Sequence, residues 1–314
     1  MSQTIVTCGD VNGIGLRCLA GALKADPSLA NNLTLVVDRG VLDQAQTKYS
    51  IHLPIEIHGI YSPCSITPGQ PSAAASRLAI LSLETAFTMA VHDPSCGVTT
   101  LPINKHALQS AGWKYPGQTE MAEDVSEGTS LMVMHHHNLR IAVNTVHIPL
   151  NTVASSITVA STLTNLQTLH NYLVADLGIP TPRIAVLGLN PHAGEHGSIG
   201  DEEFTTIAPA IKQAVATGIA AEGPFPADGF FGFGAYQQYD GILAMYHDQG
   251  LIAAKILSKG AGVNVTAGLS IVRTSPDHGT GYDKVLTAEI DSTSVMQALQ
   301  VCKSIVDVRS KQIR

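Results

Sequence analysis

The sequence predicts an α/β protein of two domains, on three observations. Short apolar runs rich in β-branched residues alternate with longer helix-like stretches, an order that favours a largely parallel sheet covered by helices. The chain has 314 residues, more than one compact core serves well. Hydrophobic residues make up 45% and charged residues 14% of it, a balance that folds rather than staying disordered.

In chain order, the strand-like runs are "TIVTC", "LTLVVD", "CGVTT", "LMVM", "RIAVNTV", "RIAVLGL", "GILAMY" and "GVNVTAG". The clearest helices cover about 72–91, 158–178, 201–218 and the closing "DSTSVMQALQVCKSIVDVRS". Asp201 and Asp291 stand where an N-cap carboxylate would accept free N–H groups, and Gly178 and Gly218 where a left-handed residue would stop a helix. No internal repeat or low-complexity linker marks a domain boundary.

Composition narrows the partners. The net charge is −7 and no basic run occurs, so nucleic acid is not an expected ligand. Five scattered cysteines, Cys8, Cys18, Cys64, Cys96 and Cys302, never form a CxxC pair and read as reduced, mostly buried thiols of a cytoplasmic protein. No basic leader and no apolar stretch long enough to span a bilayer is expected. The low charge points weakly to a homo-oligomer.

"CGDVNGIG" joins a strand to a helix, where phosphates often bind. Its glycines, Gly9, Gly13 and Gly15, match neither dinucleotide nor P-loop spacing, so a tight turn is the simpler reading. Three single histidines are more informative: His147 in "NTVHIP", His192 in "LGLNPHAGE" and His247 in "GILAMYHDQG" each follow a strand-like run. Ligands of open α/β sheets gather at the carboxyl ends of strands. Three imidazoles arriving there are either packing residues or a metal site with an open coordination position. Lys255, Asn264 and Arg273 add donors suited to phosphate or carboxylate, or else lie on solvated surface. These residues imply a metal-assisted enzyme acting on a small anion, by hydrolysis or by redox chemistry. The adjacent histidines of "VMHHHNLR" are a poorer metal candidate, because neighbours on an extended segment point to opposite faces. They are expected in a solvated hairpin turn.

"LPINKHALQSAG", "YPGQTEMAED", "HIPL", "GLNPHAGE", "PFPAD", "MYHDQGL", "VNVTAGL" and "RTSPDHGT" resemble, in order, the motifs of the 4-hydroxythreonine-4-phosphate dehydrogenase family of pyridoxal phosphate biosynthesis. The resemblance implies an isocitrate/isopropylmalate dehydrogenase-like fold with an interdomain cleft. Its first domain would cover 1–130 plus about 275–314, and its second about 131–274. It further implies a homodimer, NAD or NADP as cofactor, and one divalent metal (Zn, Mg or Co) on His147, His192 and His247, contributed by two subunits. Substrate would meet Gln118, Thr119, Asp228, Asp248, Lys255, Asn264 and Arg273, with Lys255 also catalytic. His278, Gly279 and Asp283 would lie at the nucleotide.

Three departures from the family pattern stand out. Gln118 occupies a position where histidine is usual, Leu16 and Arg17 replace proline and glutamate, and "KVLTAEID" follows "DHGTGYD" in place of a glycine-containing run. A sister dehydrogenase of another 4-phosphorylated hydroxy acid, and a silent metal-binding paralogue, are the alternatives.

Overall fold

The computed structural model describes residues 2–312. Its strands are β1 (Gln3–Thr7), β2 (Leu33–Val37), β3 (Glu56–Gly59), β4 (Cys96–Thr100), β5 (Gly128–His136), β6 (Leu139–Val143), β7 (Arg183–Leu187), β8 (Ala220–Phe225), β9 (Gly241–Ala244), β10 (Val263–Leu269) and β11 (Val272–Pro276). The chain divides into two compact units, Met1–Gly128 with Leu269–Arg314, and Thr129–Gly268.

In the first unit the strand order is β3-β2-β1-β4-β11, with each neighbouring pair parallel. Both faces of its inner strands are covered, as their unbroken apolar runs require. Successive residues of one strand enter different cores. Val6 and Leu35 pack with Leu16, Leu19 and Leu299 of the helices Gly15–Ala25 and Thr293–Gln312. Ile5 and Val36 pack with Leu83 and Phe87 of the helix Ala73–His92. Fully burying Phe87 alone contributes roughly 1.5–3 kcal/mol.

That last helix corrects one expectation, since by length and composition it could cross a membrane. Half of its apolar window is buried in the core, and this packing accounts for its hydropathy.

In the second unit the order is β10-β5-β6-β9-β7-β8. β5 and β6 form an antiparallel hairpin, whereas β6, β9, β7 and β8 run parallel. Ile141, Ala185, Ile242 and Ala244 face Leu251 and Ala254 of the helix His247–Ser258. A side chain at Gly250 would stand 3.0 Å from both Ile141 and Val143, so glycine lets this helix sit close on the sheet.

The helix stops fall where expected. Gly178 and Gly218 have φ of +70° and +93°, and Ile179 and Ile219 donate back to the carbonyls of Leu173 and Ala214. Asp291 accepts from the Thr293 N–H through its carboxylate, but Asp201 accepts from the Thr205 N–H through its backbone carbonyl. Both long helices of the second unit carry a π-helical turn, Tyr172–Asp176 and Glu203–Ile207.

Two expectations need correction. Residues 269–274 belong with the first unit, because β11 pairs with β4 in parallel register, and Arg273 goes with them. The triple histidine is not a solvated turn throughout. His135 and His136 lie on β5 opposite Arg140 and Leu139, leaving His137, with φ of +51°, and Asn138 as the turn. Cross-strand pairing continues because His135 has a buried partner: its Nδ1 lies 2.6 Å from the Tyr172 hydroxyl. Burial, helped by the nearby charge of Arg140, pushes this imidazole down to about 3.

In the unfolded chain the same ring takes a proton near its ordinary value of about 6.5. Between those two values the unfolded state binds more protons, so stability is lost as pH falls through the window. His135→Leu should therefore flatten the fall in unfolding free energy between about pH 6 and 4.5 by up to about 1.4 kcal/mol per pH unit. Urea denaturation of both proteins across that range measures the difference; parallel curves would rule out a neutral buried His135.

The five cysteines are free and buried. Burial pushes the Cys8 and Cys18 thiols up to about 12, as expected of packing residues without nucleophilic character.

Candidate active site

Four neighbouring strands of the second unit, β6, β9, β7 and β8, end on the same side and deliver His147, His247, His192 and Asp228 in that spatial order. β6 and β9 are held together past their ends. Asn144 N–H donates to the Ala244 carbonyl at 2.8 Å, and the Thr145 hydroxyl to the Met245 carbonyl at 2.9 Å. The His147 and His247 rings consequently lie with centroids 5.6 Å apart.

His247 opens the helix His247–Ser258, and its Nδ1 lies 2.8 Å from Oδ1 of Asp248. With Nδ1 so engaged, Nε2 would be the atom to meet a metal, since a carboxylate commonly orients a metal-binding imidazole. Two imidazoles with an orienting carboxylate are donor types that suit a divalent ion. Asp248 and Lys255, seven residues apart, share a helix face about two turns from one another.

His192 does not join the pair. It is exposed on the turn Pro191–Gly197, where residues 192–196 all have φ between 42° and 79°. Left-handed backbone at non-glycine residues carries strain of about 1 kcal/mol or more each and persists only where neighbours hold it. Glu203, 4% exposed, provides the hold: its carboxylate accepts from the Asn190 N–H at 2.6 Å and from the Asn190 amide at 2.9 Å. Among the described residues no group of three or more His, Cys, Asp or Glu could hold a metal ion, so one chain brings His147 and His247 together without His192.

A second set lies in the first unit. Arg273 on β11 is 4% exposed. It donates to the Thr100 hydroxyl at 2.8 and 3.1 Å, the Gln118 carbonyl oxygen at 2.7 Å and the Thr119 hydroxyl at 3.2 Å. Burial lowers its guanidinium to about 10, against the opposing pull of Glu120, and it remains a cation at neutral pH. Gln118 and Thr119 begin the helix Gln118–Val125. The Gln118 amide also donates to the Leu101 carbonyl at 3.2 Å. A residue expected at the substrate thus has both ends of its amide engaged within the protein, and its visible work is to hold Arg273. A neutral imidazole, with one acceptor and one donor, could make the same two bonds.

His278, Gly279 and Asp283 follow β11 in an irregular segment. Nε2 of His278 is buried with no hydrogen-bond partner, and a side chain built at Gly279 would meet open space. An orphaned ring nitrogen beside open backbone fits a cofactor edge. In the second unit, Asn264 is half-buried on β10, and Lys255, Asp228 and Asp248 are exposed.

A family model described as pyridoxal phosphate biosynthetic protein PdxA matches residues 18–302. The chain belongs to the PdxA family. A 4-hydroxythreonine-4-phosphate dehydrogenase of Erythrobacter litoralis is 45% identical over 88% of this chain and 89% of its own. The enzyme of that name from Bacteroides thetaiotaomicron is 38% identical over 98% and 89%. The crystal structure of 4-hydroxythreonine-4-phosphate dehydrogenase from Klebsiella pneumoniae superposes with a TM-score of 0.87 at 32% identity, covering 97% of this chain and 98% of that one. The mixed α/β architecture is thus the PdxA fold.

Within this PdxA-family chain, several residues that shape the candidate site carried no sequence signal of their own. Glu203 reads as an ordinary acidic residue near a helix start. Gln249 sits inside "MYHDQGL" without an evident task, yet it accepts from the Met245 N–H at 2.6 Å and donates to the Gly188 carbonyl at 2.7 Å, tying the ends of β9 and β7. An amide two residues after a strand-end histidine is the one clue that could have pointed to it.

Proposed function

We propose that the histidine set and the Arg273 set serve one substrate, 4-phosphohydroxy-L-threonine, in a metal-assisted, NAD-dependent oxidation. Membership of the family makes the chain a 4-hydroxythreonine-4-phosphate dehydrogenase, an oxidoreductase of pyridoxal phosphate biosynthesis. The single observation that carries the site reading is the arrival of His147, His247 and His192 from three adjacent parallel strand ends, with His247 oriented by Asp248.

The three imidazoles, drawn from two subunits of a cytoplasmic homodimer, would hold one Zn, Mg or Co ion. Bound there, the ion would lower the pKa of the substrate hydroxyl as it lowers that of water, and NAD, or NADP in its place, would accept the hydride from the same carbon. The oxidation gives 2-amino-3-oxo-4-phosphonooxybutanoate, a β-keto acid that loses CO2 to form 3-amino-2-oxopropyl phosphate.

The protein's own contribution is position and charge. Arg273, Thr119, Lys255 and Asn264 hold the phosphate and carboxylate, with Gln118 bracing Arg273. Asp228 and Asp248 are the acceptors suited to the substrate's ammonium. His278, Gly279 and Asp283 line the cofactor.

The test is purified protein with divalent metal, NAD and 4-phosphohydroxythreonine, followed for NADH and for free phosphate. NADH formation is expected. Phosphate release without NADH would mean a hydrolase, and turnover only with 4-phosphorylated threonate or erythronate would move the substrate assignment to a sister activity.

A further inference from the structure

The glycine-rich loop after β1, whose spacing favours a tight turn over a phosphate site, is occupied in the fold by protein. Ile14 N–H donates to the Thr280 carbonyl at 2.8 Å. Asp10, almost fully buried, accepts from the Tyr282 hydroxyl at 2.5 Å and from the Asn12 N–H at 2.9 Å. Side chains added at Gly13 or Gly281 would meet the Thr280 carbonyl oxygen at 2.5 Å or Ile14 at 2.7 Å. The glycines therefore permit a close approach between two chain segments.

Arg17 extends the contact by one turn of helix. Its Nη1 donates to the carbonyls of Val285, at 2.6 Å, and Thr287, at 2.8 Å. Arg17 and the run from 284 to 291 are two of the positions where this chain departs from the family pattern, and they are bonded to each other.

We infer that residues Gly9–Arg17 form a cradle that presets the segment 280–287 for the cofactor, with Arg17 as a positioning residue for NAD affinity. The inference rests on the reading that His278, Gly279 and Asp283 meet the cofactor. Both acceptors of Arg17 are main-chain carbonyls of the segment, so its loss frees that backbone without opening a core. An unfixed segment must then be ordered when the cofactor binds, which weakens affinity and leaves the chemical step alone. Two hydrogen bonds from one cation to neutral carbonyls set the scale. Lysine, a single point charge without the planar fork, holds them less well.

The experiment compares Arg17→Ala, Arg17→Lys, Lys24→Ala and His278→Ala. Lys24 shares the helix of Arg17 and lines the same cleft of about 740 Å³, but lies outside the cradle. The readouts are NADH titration by fluorescence without substrate, hydrogen exchange at 281–288, and steady-state kinetics. Arg17→Ala should weaken NADH and raise the KM for NAD by about tenfold, with kcat within about twofold and the substrate KM unchanged. Arg17→Lys should fall between Arg17→Ala and the parent, Lys24→Ala should match the parent, and exchange should quicken in the segment for the Arg17 variants. If Arg17→Ala fails to fold cooperatively, Arg17→Lys decides alone. NADH affinity lost in His278→Ala but kept in the Arg17 variants would overturn the cradle. Affinity kept in all of them would overturn the cofactor reading and the cradle with it.

Discussion

His247→Ala should lower NAD reduction by about a thousandfold or more and release the divalent ion. Losing one imidazole of three removes several kcal/mol of charge stabilisation at the reacting oxygen, and each factor of ten corresponds to about 1.4 kcal/mol. Asp248→Asn is the finer probe. It keeps the shape but replaces the carboxylate that holds Nδ1 of His247 at 2.8 Å, and loss of such a partner weakens metal binding by about 10–100-fold. His137→Ala, at the tip of the β5–β6 hairpin, should change neither metal content nor rate. Metal analysis after dialysis, paired with NADH kinetics, measures all three. Full activity in His247→Ala would remove this residue from the site, and metal loss in His137→Ala would return attention to the triplet.

The contrast between those histidines shows what a sequence can reveal. The strand-end positions of His147, His192 and His247 were legible because each follows an apolar strand-like run, and parallel strands bring their carboxyl ends to one side whatever their order in the chain. That β6, β9 and β7 are adjacent was not legible, since strand order depends on tertiary pairing. The left-handed turn at His192 was hidden for a related reason. Its support is Glu203, whose role exists only once the chain has folded back on Asn190.

β11 was not among the strand-like runs because "VRTSP" mixes a cation with a terminal proline; in the fold it is buried throughout and pairs with β4 over Val272–Thr274, and Arg273 finds its partners in Thr100, Gln118 and Thr119. The triple histidine misled in the opposite direction. Alternation argued against one ion, and the same alternation sends His135 inward to Tyr172 and makes a stability residue of what looked like a solvated turn.

Arg273→Met should separate function from stability. The side chain is 4% exposed, and its identified hydrogen bonds go to neutral oxygens of Thr100, Gln118 and Thr119. Burying a cation is costly, and replacing a buried charge with an apolar side chain of similar length is often neutral or stabilising by about 1–4 kcal/mol. The protein is therefore expected to unfold at the same temperature or higher, while kcat/KM for the phosphorylated substrate falls by about a thousandfold, mainly through KM. Arg273→Lys should recover little of it, because one ammonium cannot reach three acceptors in a fixed fork. Calorimetry beside substrate titration gives the two numbers. A destabilised Arg273→Met with unchanged KM would mean that the network serves the fold. The expected result would mean that this unit keeps a buried cation, braced by Gln118 and within the pull of Glu120, for the substrate's anionic group.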